Sequence, residues 1–126
     1  MKRSWIGFAL LVALLAAGLV CSAAMIKFCG EDSVRLERAG AEALRGNWER
    51  AAYFTAQARQ HWDSWELFRC AMADHKPAEE IDTLFSMLEI YGAARDNVAF
   101  GALCREAAKK LETLGDAQRL NLRNLL

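Results

Sequence analysis

Apolar residues run almost without interruption from Trp5 to Ile26, and only after Gly30 does the chain settle into charged and apolar positions at helical spacing. The first stretch is 22 uncharged residues, and a helix needs roughly 20 to cross about 30 Å of hydrocarbon. Ser4 and Ser22 are the hydroxyls at its margins, and Trp5 stands where an interfacial aromatic anchor belongs. The pattern therefore predicts a transmembrane helix bounded by Trp5 and Ile26. A cleaved signal peptide is the rival reading, with Ser22, Ala23 and Ala24 as small residues for a cleavage site; the length of the apolar run favours a retained anchor. Val20 before Cys21 argues against a lipoprotein signal.

Beyond the span the spacing predicts about four helices. One runs from about Asp32 to Arg45, with Leu36, Ala39, Ala43 and Leu44 on one side, either separate from the span or continuing it directly. Gly46 suits the position after a helix end and Asn47 suits a cap. In the second helix Trp48, Ala51, Thr55, Ala58, Trp62, Trp65, Arg69 and Met72 alternate in steps of three and four, with Phe54, His61 and Phe68 on a neighbouring row. Lys76-Pro77 is expected to end it, since proline disfavours helix in the residue before it but fits a first turn. Ile81, Leu84, Phe85, Leu88 and Tyr91 stripe a third helix. Phe100, Leu103, Ala107, Leu111 and Leu114 stripe a fourth, capped by Asp96 or Asn97 and ending at Gly115. Short connections favour antiparallel neighbours. The expected fold is all-α: an anchor over residues 1–30, then an antiparallel bundle over residues 31–126 with an apolar tail. Leu120, Leu122, Leu125 and Leu126 in that tail are expected to dock on the bundle or on a partner.

Composition agrees with helix, since the chain of 126 residues has a single proline, Pro77. The charges balance overall, 16 basic against 16 acidic, but Lys2, Arg3 and Lys27 flank the apolar run, so 13 basic residues face all 16 acidic ones from Glu31 onward. The bundle is mildly acidic, which offers nothing to nucleic acid phosphates and no polybasic cluster for anionic lipid. Lys2 and Arg3 before the span and Glu31 and Asp32 after it place the N-terminus in the cytoplasm and the bundle outside.

Candidate chemistry is sparse. Cys21, Cys29, Cys70 and Cys104 lack the close spacing of a metal site. An up-down bundle brings Cys70 and Cys104 to similar heights, and export permits a disulfide; buried free thiols are the alternative. Asp74, His75, Glu80 and Asp82 form the one polar cluster that invites a divalent metal or small ligand. The same residues also suit the dipoles of the helix ends they occupy. His61, beside Trp62 and Asp63, reads as packing, and Ser64 and Ser86 as helix residues; no serine–histidine–acid, phosphate-loop or zinc-protease pattern is present. No cofactor is expected.

Two resemblances sharpen this. Leu44-Arg45-Gly46-Asn47-Trp48-Glu49-Arg50-Ala51, with Ala58 further on, resembles the turn between the two helices of a tetratricopeptide repeat, although no second copy follows at the 34-residue period. The whole chain resembles a family of uncharacterised small bacterial membrane proteins, domain of unknown function family 4363. That likeness is carried by the Lys-Arg start with its apolar span, Gly46-Asn47-Trp48-Glu49, Trp62, Asp74-His75, Glu80-Ile81-Asp82 and Leu120-Asn121-Leu122-Arg123-Asn124-Leu125. Lys76-Pro77-Ala78 stands as an insertion against that pattern. The resemblance implies a membrane anchor, a helical domain, a Gram-positive type of source and no activity. The expected function is a non-enzymatic, single-pass membrane module that touches the bilayer through residues 5–26 and associates with a membrane or envelope protein. The alternative is a ligand or metal sensor built on His75, Glu80 and Asp82.

Overall fold

The computed structural model describes residues 2–67 and 76–125, and all four elements it holds are helices: α1 (Lys2–Leu44), α2 (Trp48–Ser64), α3 (Lys76–Ala93) and α4 (Asn97–Leu125). The apolar span and the first bundle helix are one element of 43 residues, about 64 Å at the helical rise. Gly30 does not interrupt it, because a single glycine in a helix interior costs only about 1 kcal/mol. A stripe of Met25, Cys29, Asp32, Leu36, Ala39 and Ala43 is buried in steps of four and three straight across that glycine.

Helix directions follow from the contacts. Phe28 meets Trp65, and Asp32 meets His61, so α2 returns antiparallel along α1. Glu80 meets Lys110 and Gly92 lies against Phe100, so α4 returns along α3. The largest interface is that between α1 and α4, also antiparallel. A Cβ added at Gly40 would lie 3.2 Å from that of Cys104 and 3.5 Å from the Gly101 Cα, and one at Gly115 would lie 3.3 Å from that of Cys29. Small residues at these points bring the two backbones close enough for the flanking apolar side chains to interlock. The bundle is thus up-down, but α2 and α3 meet far less than the other neighbours do.

Several expectations need correction. Leu44 is 58 % exposed rather than inward, because α1 is in its last turn there. Gly46 adopts φ +82° as a helix-ending glycine should, yet the Asn47 side chain makes no capping bond. Asp96, by contrast, accepts the Ala99 amide at 3.2 Å and caps α4. The second helix ends at Ser64, with Trp65 leaving the helical conformation, and so stops short of Lys76-Pro77, which instead opens α3. Gly115 does not end α4: it is buried mid-helix against Cys29, and the apolar tail forms the helix's last turns. The span and the first bundle helix are thus one element, the alternative in which α1 continues the anchor directly.

Candidate functional site

Where α2 and α3 diverge they leave a solvent-open cleft of about 870 Å³. Its α2 wall carries Trp48, Ala52, Ala56 and Arg59, its α3 wall Phe85, Leu88 and Gly92, and Phe100 of α4 contributes from between them. These positions follow from the sequence locally. Trp48 opens α2 and packs edge-on against Phe100, ring centroids 5.2 Å apart, at one end of the cleft. Gly92 gives the Phe100 ring room on the far wall, since a Cβ there would sit 3.3 Å from it. At the other end the walls are joined by a hydrogen bond from Trp62 Nε1 to Asp82 Oδ1, 2.6 Å.

The rim is charged: Arg59 and Arg95 alternate with Glu49, Asp63 and Glu89. Arg59 stands over the Phe85 ring at 5.7 Å, a cation–π distance, and its Nε donates to Asp63 at 3.4 Å. Its Nη1 is buried and has no hydrogen-bond partner among the described residues. The Arg59 side chain is partly exposed, and a partly exposed guanidinium beside an apolar floor is suited to a carboxylate on an otherwise apolar segment.

A second polar group lies on the α1–α2 seam. Asp32 is 4 % exposed; its Oδ1 accepts from Arg35 Nη1 at 2.6 Å and lies 3.0 Å from His61 Nδ1. Desolvation by burial raises the Asp32 carboxyl above its ordinary 3.8, opposed by the bonds from Arg35 and His61. Arg35 Nη1 also lies 3.3 Å from His61 Nδ1. Arginine only donates and an ionised carboxylate only accepts, so Nδ1 can bond Asp32 as a donor or Arg35 as an acceptor, but not both at once; Asp32 Oδ1 is the acceptor the two side chains share. Phe28 covers the imidazole, ring centroids 5.2 Å apart. The adjacent Cys29 thiol is pushed up to about 12, first by burial and then by Asp32; Cys104 is likewise pushed up to about 12 by burial. Neither is a nucleophile near neutral pH, since the thiolate is the reactive form. The Asp32–His61–Arg35 group is therefore an interhelical lock.

Asp74 and His75 lie outside the described residues, as does Cys70 and with it the Cys70–Cys104 pairing. Glu80 Oε2 accepts from Lys110 Nζ of α4 at 2.7 Å, a bond that raises the lysine above its ordinary value, whereas Asp82 turns the other way to Trp62 of α2. Two residues apart on a helix, these carboxylates point in different directions. No group of three metal-ligating side chains occurs among the described residues. In the tail, Leu120 is 58 % exposed and Leu122 half-buried; the Leu125 side chain and Leu126 lie outside the description.

Sequence reasoning missed two things. Asp32 was visible, because it falls in register between Cys29 and Leu36, but a compositional boundary drawn at residue 30 cut that register in half. The cleft was not visible, because it arises from two helices failing to meet. No known protein family, curated protein or solved structure matches the chain.

Proposed function

We propose that this chain is a non-enzymatic, membrane-tethered binding module of the bacterial cell envelope that holds a helical segment of another membrane or envelope protein in the cleft between α2 and α3. The observation that carries the reading is the cleft itself, open and apolar-floored, with the partly exposed Arg59 guanidinium at its wall. An amphipathic segment with one acidic residue fits such a surface: its apolar face would cover Phe85, Leu88 and Phe100, and its carboxylate would meet Arg59.

The long apolar α1 supports a single-pass anchor spanning residues 5–26, and the charge asymmetry supports a cytoplasmic N-terminus with the bundle outside. The end of α1 and the start of α2, joined through Gly46-Asn47, form a hairpin that we read as tetratricopeptide-like in its packing, which agrees with a concave peptide-accepting face. The likeness to domain of unknown function family 4363 points to the same kind of small anchored protein.

The test places a photo-crosslinking residue at Ala56 in the cleft and, as a control, at Arg105 on the outer face of α4, in the native membrane. The reading expects a discrete heavier product from position 56, none from 105, and loss of the product when Ala52→Trp fills the cleft. Equal products from both positions, or a product that Ala52→Trp leaves unchanged, would refute it.

A further inference from the structure

The lower part of α4 runs down along α1 into the apolar stretch itself. Gly115 packs on Cys29, with its Cβ position 3.9 Å from the Ile26 carbonyl oxygen. Continuing antiparallel from there, Gln118 falls opposite Met25, and Leu122 opposite Cys21 and Ser22. Their burial agrees: Gln118 and Met25 are buried, and Leu122, Cys21, Ser22 and Leu19 are half-buried. From Lys2 to Gly18 every α1 residue is exposed. The 14 of them from Trp5, where the uncharged span begins, extend about 21 Å, which is shorter than the hydrocarbon layer of about 30 Å.

If α1 crosses a bilayer, lipid must therefore reach the level at which α4 already lies beside it. We propose that the last two turns of α4 are seated in the outer interfacial layer of the membrane, as a second contact with phospholipid beyond the anchor. The inference rests on the membrane-span reading of α1.

The residues at this end match that environment. Leu120 is exposed, so that it meets acyl chains. Arg119 and Arg123 are exposed on the same turns, with stems long enough to lay along apolar surface while their heads reach the phosphates. Arg119 is held loosely, 3.7 Å from Asp116 with both side chains mostly exposed. Leu67, 89 % exposed, lies just past the Phe28–Trp65 contact and so faces the same end of the bundle. Local thinning of the bilayer meets the remaining mismatch.

The full chain in nanodiscs of phosphatidylcholine and phosphatidylglycerol tests this with benzoylphenylalanine placed singly at Leu120, Asn124, Arg105 and Leu15. The expected result is a phospholipid mass shift on the crosslinked protein from positions 120, 124 and 15, and none from 105. Arg119→Glu combined with Arg123→Glu is expected to abolish the shift at 124 and leave that at 15. Lipid adducts at 15 but not at 120 or 124, or protein–protein adducts at 120, would overturn the proposal alone. Absence of lipid adducts at 15 as well would overturn the membrane-span reading with it.

Discussion

Gly30 separates a rigidly mounted bundle from one on a hinge. It lies in the interior of α1, is exposed, and has open space where a Cβ would be. Gly30→Ala therefore adds no clash and gains helix propensity, stabilising the bundle by about 0.8–1 kcal/mol. Gly30→Pro removes the amide that bonds the Ile26 carbonyl and drives the ring toward that carbonyl, at a cost of about 3 kcal/mol or more. The damage falls where Cys29 and Gly115 bring α1 and α4 together, so the helix cannot bend there without opening that interface. For a domain of this size about 3 kcal/mol corresponds to a fall in Tm of 12–24 °C. Thermal unfolding followed by near-ultraviolet circular dichroism in mild detergent, where the tryptophans report the bundle, measures both changes. If residues near 30 formed a linker, alanine would be neutral and proline harmless. A Gly30→Pro Tm within a few degrees of the parent would refute the continuous helix.

The remaining predictions concern the lock, the seams and the core. Asp32 has a raised carboxyl pKa when folded, so its contribution to stability is fully present below 3.8 and lost as pH rises through the folded value; urea midpoints of the parent minus those of Asp32→Asn should accordingly increase as pH falls toward 3.8, and a decrease would contradict the assignment. Trp62→Phe removes the bond to Asp82 and is expected to cost about 1.5–3 kcal/mol, with a double-mutant cycle against Asp82→Ala reporting the coupling. Leu36→Ala, at a fully buried site, should cost about 2–5 kcal/mol, whereas Leu44→Ala should cost under about 1 kcal/mol; equal losses in denaturant unfolding would place Leu44 back in the core.

The helical class, the apolar span and most inward positions were legible because they rest on local signals. A three-and-four stripe such as Ile81, Leu84, Phe85 and Leu88 reports its own helix, and Asp96 carries its cap with it. What escaped were properties of pairs of helices. Gly115 reads as a stop when α4 is considered alone, but opposite Cys29 it is the close approach that lets the helix continue. Glu80 and Asp82 read as neighbours along the chain, and only the packed helices show that Glu80 bonds Lys110 of α4 and Asp82 bonds Trp62 of α2. The cleft between α2 and α3 depends on how far two helices splay, which no single segment encodes.

The central claim is that α1 holds the bundle on the outer side of a membrane without a hinge. Labelling Glu49→Cys with a membrane-impermeant maleimide in intact cells, followed by an alkaline wash of the membranes, tests it directly. The account predicts full-length protein that is labelled before permeabilisation and stays in the washed pellet. Label that enters only after permeabilisation, or protein that leaves with the wash, would contradict it.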